Sequence, residues 1–291
     1  MIHLINGGIN IFLFRAGFLC CVFAILFLVP MRAAKADLSL YPTRLVIEKN
    51  QRSAQVELMN TGTEPATYRI NLVNRRMGEN GEFSTAEAAI AGEQFADVLL
   101  RYSPRQVTVL PGSSQTVRIL VRKPAELPSG EYRSHLQFDR VADSSGANSI
   151  ESVSQSETKE IGIVIKALLG ASIPVIVRHG DTQASVDLSG LTLSSGPAQD
   201  NLVLALEMHR KGSRSVYGDL AVTFTPRGGQ PVELAKAGGV AVYVPNALRR
   251  ARMPLSLPAE TRLTNGLLNL TYRERADAGG KLIAEASLIV P

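Results

Sequence analysis

Residues 53–60 read Ser-Ala-Gln-Val-Glu-Leu-Met-Asn, and apolar and polar side chains alternate along them from position 54 to position 58. The same alternation runs through residues 116–122, Thr-Val-Arg-Ile-Leu-Val-Arg, and through residues 132–139, Tyr-Arg-Ser-His-Leu-Gln-Phe-Asp. Successive side chains of a β-strand point to opposite faces of its sheet, so a period of two is typical of strands with one face on a core and the other in water. The pattern predicts an all-β fold.

Turn motifs separate these segments along the chain. Asn60-Thr61-Gly62, Gly78-Glu79-Asn80-Gly81 and Pro111-Gly112 stand in the first half, and paired glycines at 228–229, 238–239 and 279–280 separate further alternating segments in the second. Short strands at this spacing are typical of β-sandwiches. We therefore expect two immunoglobulin-like β-sandwich domains, residues 37–179 and 180–291, which meet at His179-Gly180-Asp181. The one helix-like stretch, Thr85–Gln94, contains Gly92, which disfavours a helix.

The N-terminus has the form of a secretory signal peptide. Arg15 supplies the charge of its first part, residues 17–31 are an apolar run, and Ala34-Lys35-Ala36 is a small-x-small cleavage motif. The alternative is an uncleaved membrane anchor, although a spanning helix needs about 20 apolar residues, more than this run contains. We expect residues 1–36 to be removed on export, with no stable membrane insertion afterwards.

Cysteine content and charge exclude several classes of function. Cys20 and Cys21 are the only cysteines and both lie in the leader, so the mature chain can have no disulfide, thiol nucleophile or cysteine metal site. The formal net charge of +5 falls to +2 once the leader is removed, because the leader holds three basic residues and no acidic one. No block of lysine and arginine marks a nucleic-acid surface, and we expect no nucleic-acid partner.

Two neighbouring segments depart from an ordinary sandwich. Residues 141–160 are rich in Ser, Glu, Asn and Gln, and unstructured loops beyond about 12–15 residues are usually functional or disordered. Residues 161–178 form an apolar run longer than the usual strand of about 3–10 residues. Exposed apolar edges of this kind invite another chain to pair with them, so an open edge is expected where pairing is the function.

Four segments of the first half resemble the periplasmic chaperones of the chaperone–usher pathway. They are Leu38–Ile47, with Thr43-Arg44 before an apolar triplet, Arg52–Val56, Leu110–Arg118 with its Pro-Gly turn, and Leu127–Leu136. They follow the family's order and cover the N-terminal domain, whereas the second domain resembles the family in size and strand content. The resemblance implies a periplasmic chaperone that stabilises pilus or fibre subunits by donor-strand complementation and delivers them to an outer-membrane usher.

The resemblance also implies which residues donate the strand. A fibre subunit of this pathway lacks its last strand, and the chaperone fills the apolar groove by β-addition. By position, the donor residues are Ile161, Ile163 and Ile165, followed by Ala167 and Leu169. The alternative is that these side chains belong to the core of a central strand.

Arg44 matches the arginine of the family's cleft, which binds the terminal carboxylate of the subunit and sets the register of the added strand. A guanidinium fork suits a carboxylate, and the alternative is an outward-facing strand arginine. The family's lysine near the end of the donor strand is absent, since its position, counted back from Arg178, holds Pro174. Proline cannot donate a ladder hydrogen bond, so we expect the strand to be an edge or to be broken there.

Signals for catalysis are weak. His135, His179 and His209 lie far apart without metal-ligand spacing, and the sequence has no Gly-x-Ser-x-Gly motif, so we expect no enzyme, no metal and no cofactor. The alternative function is a surface or adhesive β-sandwich protein that binds passively. An unoccupied edge can also pair with a second copy of itself, so weak self-association is expected.

Three side-chain placements complete the prediction. His135 falls on the outward face of its strand, and Tyr217 and Tyr243 are expected to pack in the core of the second domain. The basic cluster Arg249-Arg250-Ala251-Arg252 is expected on a solvated edge, with docking to an usher as the alternative.

Overall fold

The computed structural model describes residues 37–48, 50–141, 170–195, 202–258 and 262–291. Within these ranges the chain forms eighteen β-strands and short 3₁₀ turns at Asp97–Leu99 and Ala276–Ala278, which confirms the predicted all-β fold. The signal peptide predicted at residues 1–36 and the donor residues predicted between positions 161 and 169 lie outside the described residues.

Eleven of these strands precede residue 180: β1 (Leu38–Tyr41), β2 (Leu45–Ile47), β3 (Ser53–Asn60), β4 (Ala66–Val73), β5 (Arg75–Met77), β6 (Phe83–Thr85), β7 (Leu100–Ser103), β8 (Gln106–Val109), β9 (Ser114–Val121), β10 (Gly130–Arg140) and β11 (Gly170–His179). Seven follow it: β12 (Ala184–Ser195), β13 (Leu202–Gly212), β14 (Val216–Pro226), β15 (Val232–Val242), β16 (Leu248–Leu255), β17 (Gly266–Arg273) and β18 (Leu282–Val290).

The first sandwich consists of a sheet in the order β1-β3-β9-β7 and a sheet in the order β2-β11-β10-β4-β8. Its core contains fully buried Leu58 from β3, Val117 from β9 and Phe138 from β10, one from each alternating pattern. Because every second side chain of these strands enters the core, the period of two in the sequence becomes the inner face of each sheet. Burying one such side chain stabilises the fold by about 1.5–3 kcal/mol.

The first two strands, β1 and β2, belong to different sheets. β1 pairs antiparallel with β3, with Leu40 opposite Leu58, and β2 then pairs parallel with β11, with Leu45 opposite Val175. Arg44 directly precedes β2, at the point where the chain crosses from one sheet to the other. The crossing therefore places Arg44 at an end of the sandwich rather than in the middle of a strand.

The second sandwich consists of the sheets β12-β13-β16 and β15-β14-β17-β18. Its core includes Leu204, Leu220, Phe224, Leu270 and Tyr272, all fully buried. Two β-sandwiches in one chain confirm the predicted fold class. β11 ends at His179 and β12 begins at Ala184, while the domain boundary between residues 179 and 180 stays a prediction.

The helix-like stretch Thr85–Gln94 forms no helix. Thr85 is the last residue of β6, and turns and irregular backbone follow it. The side chain of Arg76 in β5 donates to the buried carboxylate of Glu93 at 2.5 Å and to the carbonyl of Ala88 at 2.8 Å, so ion pairing rather than helical hydrogen bonding holds this stretch. Among the described residues, no helix has the length and apolarity of a membrane span.

Candidate binding cleft

On the side of β11 away from β10, about half of the strand has no partner strand among the described residues. β11 pairs with β10 from Gly170 to His179, but with β2 only from Val175 to Val177. Within the described part of the chain, residues 170–174 therefore have a strand on one side only. Pro174 is the last residue before the β2 pairing begins, so among the described strands it pairs with β10 only. The expectation that the strand is an edge at Pro174 is confirmed, and the strand continues through it.

The predicted donor residues Ile161, Ile163, Ile165, Ala167 and Leu169 directly precede this open edge in the sequence. They lie outside the described residues, so their role stays a prediction. The first described residue after them, Gly170, belongs to β11.

Arg44 lies half-buried in a cavity of about 670 Å³ between the two sandwiches. The first sandwich contributes Val46, Glu48 and Arg178 to the lining, and the second contributes Ser215 and Tyr217 among others. The guanidinium carbon of Arg44 is 4.3 Å from the ring centroid of Tyr217 and 5.6 Å from that of Tyr243. Its Nη1 is buried and has no hydrogen-bond partner among the described residues.

Arg133 is a second cation near Tyr243, and it is buried. It lies on β10 with only 6% of its surface exposed, and its guanidinium carbon is 4.3 Å from the ring centroid of Tyr243. Its Nη2 donates to the carbonyl of Arg75 at 3.1 Å, whereas Nε and Nη1 have no hydrogen-bond partner among the described residues. Burial lowers the pKa of Arg133 from its usual value, and the nearby Tyr243 and Glu131 act in the opposite direction.

His135 shares the face of β10 that carries Arg133. The alternation correctly places His135 outside the sandwich core. The prediction that it faces water is wrong, since only 3% of the residue is exposed. The ring of Phe83 from β6 packs edge-on against it with centroids 5.3 Å apart. Burial, with smaller contributions from the charges of Arg133 and Arg75, lowers the pKa of His135 to about 3, so the imidazole is neutral at neutral pH.

Arg178, which lines the same cavity, is already neutralised. Its Nε donates to the carboxylate of Glu131 at 3.0 Å and its Nη1 to the carboxylate of Glu48 at 2.5 Å. Glu131 is buried and also accepts from the backbone N–H of Ser215 at 3.1 Å, while the Ser215 hydroxyl bonds its other oxygen. Arg178 therefore helps to join the sandwiches, whereas Arg44 and Arg133 are among the arginines whose buried donors have no partner in the described residues.

The tyrosines and the basic cluster also differ from expectation. Tyr243 is buried, but it packs with Met77, Ile176 and Ala241 in a cluster between the sandwiches, and Tyr217 packs against that cluster rather than in the second core. The prediction of a solvated edge is wrong for the first residue of the basic cluster, Arg249, whose Nη1 donates to the carbonyl of Ala241.

Arg250, the next residue of the cluster, links the two sandwiches. Its side chain pairs with the carboxylates of Glu79 and Glu207, and its backbone N–H donates to the carbonyl of Glu79 at 2.7 Å. A sequence pattern cannot show the contacts with Glu79, because they join residues of different sandwiches. No group of three or more His, Cys, Asp or Glu side chains in the described ranges is arranged to hold a metal ion.

Comparison with known proteins finds no matching family model and no matching curated protein. Similar solved structures include the YadV chaperone, at 11% identity and a TM-score of 0.44 over 88% of this chain and 100% of that one. The CsuC–CsuE chaperone–tip subunit complex of Acinetobacter baumannii matches at 14% identity and a TM-score of 0.43 over 88% of this chain and 98% of that one. The Salmonella enterica SafA pilin in complex with the SafB chaperone matches at 15% identity and a TM-score of 0.41, over 89% of this chain and 99% of that one.

Identities of 11–15% and TM-scores below 0.5 carry no argument about activity. The activity of this chain has to be argued from its own cleft. The named neighbours are a chaperone and two complexes of a chaperone with a pilus subunit.

Proposed function

We propose that this chain is a periplasmic chaperone that holds an immature pilus or fibre subunit by lending it a β-strand, and that it delivers the subunit to an outer-membrane usher. The observation that carries the proposal is the open edge of β11 at residues 170–174, which begins where the predicted donor segment ends. An open apolar edge is a liability that proteins usually cover, unless pairing with another chain is its use.

The donor segment supplies the apolar side chains for this pairing. In β-addition, main-chain hydrogen bonds supply affinity and alternate side chains fill pockets of the partner. Ile161, Ile163 and Ile165 alternate in this way, with Ala167 and Leu169 continuing the row toward β11. Because burying an isoleucine side chain contributes about 1.5–3 kcal/mol, the three isoleucines account for much of the expected binding free energy.

The direction of β2 supports Arg44 as the carboxylate anchor. β2 runs parallel to β11 along the same edge and begins with Leu45 opposite Val175. A guest strand that pairs upstream on that edge in the same direction must end where β2 begins, and its terminal carboxylate then arrives at Arg44. The Nη1 donor of Arg44, which has no partner in the described part of the chain, suits that carboxylate.

Arg133 is the proposed second cation, in place of the family's lysine at the position of Pro174. Beside Tyr243 it presents buried donors that have no partner within the described ranges, and the ring of Tyr243 also lies near Arg44. A buried cation without a counter-ion is costly, and a guest carboxylate would offset that cost. Arg178 is not a candidate, because Glu131 and Glu48 already pair with it.

The experiment that tests the proposal is co-expression of the chain in the periplasm with the short secreted proteins encoded beside it, followed by co-purification. We expect a stoichiometric complex. Ile163→Asp is expected to abolish the complex while leaving the melting temperature of the chaperone unchanged. If this variant instead unfolds the protein, the isoleucines are core residues and the passive adhesive β-sandwich is the better interpretation.

The anchor has a separate test. Arg44→Ala is expected to weaken subunit binding by roughly 10- to 100-fold, because it removes a charge-assisted hydrogen bond. The matched control is Arg252→Ala, an exposed arginine on β16 outside the cavity, which should bind as the unchanged protein does. Equal affinity of the Arg44→Ala variant and the unchanged protein would remove Arg44 from the site.

A further inference from the structure

We infer that Tyr217, a side chain of the second sandwich, is a positioning residue for Arg44, so that both sandwiches take part in holding the terminal carboxylate of a guest. This inference rests on the proposed function and assigns a binding role to the second sandwich. Its basis is the placement of the Tyr217 ring 4.3 Å from the guanidinium carbon of Arg44, within a cavity that both sandwiches line.

The manner of contact leaves Arg44 available to a ligand. A guanidinium stacks on an aromatic ring through its flat face, whereas its N–H donors point outward in its own plane. The Tyr217 ring lies against the cation while the Nη1 donor of Arg44 has no hydrogen-bond partner among the described residues. An acidic neighbour would have occupied such donors, as Glu131 and Glu48 occupy those of Arg178 in the same cavity.

The surrounding strands hold the Tyr217 ring in place. Tyr217 pairs with Ala241 between β14 and β15, and its side chain packs against the cluster that contains Tyr243. Gly239 has a φ of +69°, and a Cβ added there would come within 2.9 Å of the Tyr217 hydroxyl oxygen, so glycine leaves the space that the ring fills. The N–H of Gly239 donates to Asp219 at 2.8 Å, which fixes this turn of backbone beside the tyrosine.

The other cation near the ring does not compete for the guest. The guanidinium carbon of Arg275 lies 6.0 Å from the Tyr217 centroid, and its nitrogens lie 3.8 Å from a carboxylate oxygen of Asp219 and 3.5 Å from one of Asp277. Arg275 is thus paired with acidic side chains, whereas Arg44 forms no ion pair within the described ranges. The ring therefore holds one neutralised arginine and one that is open to an anion.

The test uses the full mature chain and a simple probe for a strand end. The probe is an N-acetylated peptide of alternating valine and threonine, synthesised once with a free C-terminal carboxylate and once as the C-terminal amide. The ratio of the two affinities measures the carboxylate anchor alone, because strand pairing is common to both peptides. We expect the unchanged protein to prefer the acid by about tenfold or more.

Tyr217→Ala is expected to reduce this preference by roughly twofold or more, up to its complete loss, because a cation–π contact is worth about 0.5–2 kcal/mol from exposed to desolvated sites. Tyr217→Phe keeps the ring and should restore the preference. A second readout is the NMR shift of the Arg44 Nε proton, which the ring current of residue 217 displaces in the unchanged protein and in Tyr217→Phe but not in Tyr217→Ala.

The outcomes separate the two proposals. An unchanged protein that prefers the acid, with Tyr217→Ala preferring it equally, overturns the role of Tyr217 and leaves the anchor intact. An unchanged protein that binds both peptides alike, or neither, overturns the carboxylate anchor and the positioning role together. A lower preference in Tyr217→Ala that Tyr217→Phe does not restore shows that the hydroxyl, not the stacked ring, is what matters, and also overturns the inference.

Discussion

Removal of the buried histidine at position 135 is expected to change how stability depends on pH. The pKa of His135 is lowered to about 3 by burial and by the charges of Arg133 and Arg75, whereas an unfolded histidine titrates near 6.5. Between these values the unfolded chain binds a proton that the folded protein does not bind. Stability therefore rises with pH through this window and is lost as the pH falls below about 6.5.

The size of the effect follows from the two pKa values. Each pH unit below the unfolded pKa costs about 1.4 kcal/mol, so His135 alone should lower the free energy of unfolding by about 2 kcal/mol between pH 7 and pH 5. His135→Gln removes the titrating group. Between pH 7 and pH 5 its free energy of unfolding should therefore fall by about 2 kcal/mol less than that of the unchanged protein. Comparing each variant with itself at the two pH values cancels the cost of the substitution at neutral pH.

Equilibrium urea unfolding followed by circular dichroism measures this difference. The matched control is His209→Gln in the second sandwich, where 41% of the histidine side chain is exposed, and this variant should keep the 2 kcal/mol contribution of His135. NMR titration of the folded protein should show no protonation of the His135 ring above about pH 4.5. A His135→Gln variant with the same pH dependence as the unchanged protein would refute the reasoning.

Two further changes test buried polar side chains that stabilise the fold. Asn60→Ala should lower the free energy of unfolding by about 2–4 kcal/mol, because the buried Asn60 side chain donates to the carbonyls of Glu64 and Val109 and accepts from the N–H of Gly62, at 2.8, 2.9 and 2.9 Å. Urea unfolding measures it, and a loss below about 0.5 kcal/mol, the size expected of an ordinary surface change, would contradict it. Glu131→Gln should cost about 3 kcal/mol by breaking a buried ion pair, whereas the exposed Glu233→Gln on β15 should cost almost nothing; equal melting temperatures would argue against the Glu131 network as a link between the sandwiches.

The strands were predictable because each carries its own signal. The alternation in residues 53–60 gives β3 with Val56 and Leu58 buried, and the turn motif from Gly78 to Gly81 connects β5 to β6. These features depend on neighbours in the sequence and on the two-residue period of an extended chain. Thr85–Gln94 was ambiguous because its side chains are fixed by Arg76, a residue outside the stretch.

The cleft was predictable only in part. Arg44 was identified through the resemblance of its segment, and the open edge at Pro174 followed from the chemistry of proline. Arg133 was missed, because alternation assigns it only to the polar face of β10. That face is buried by Phe83 and Tyr243, which come from a distant hairpin and from the second sandwich. The alternation of apolar and polar residues within one strand contains no information about which distant residues cover the outer face of that strand.

The buried polar groups favour this cleft as the proposed binding site. In folded proteins more than about nine-tenths of buried polar groups have hydrogen-bond partners. Here donors of Arg44 and Arg133 without partners in the described residues lie near Tyr243, in a place where burial opposes positive charge. Nδ1 of His135 and the Nε atoms of Arg75 and Arg249 also have no partner within those residues. A well-packed apolar cleft would be more stable in the free protein. Retaining these arginines therefore makes physical sense if an anion from outside the chain completes the site, and a strand that ends in a carboxylate beside β2 supplies one.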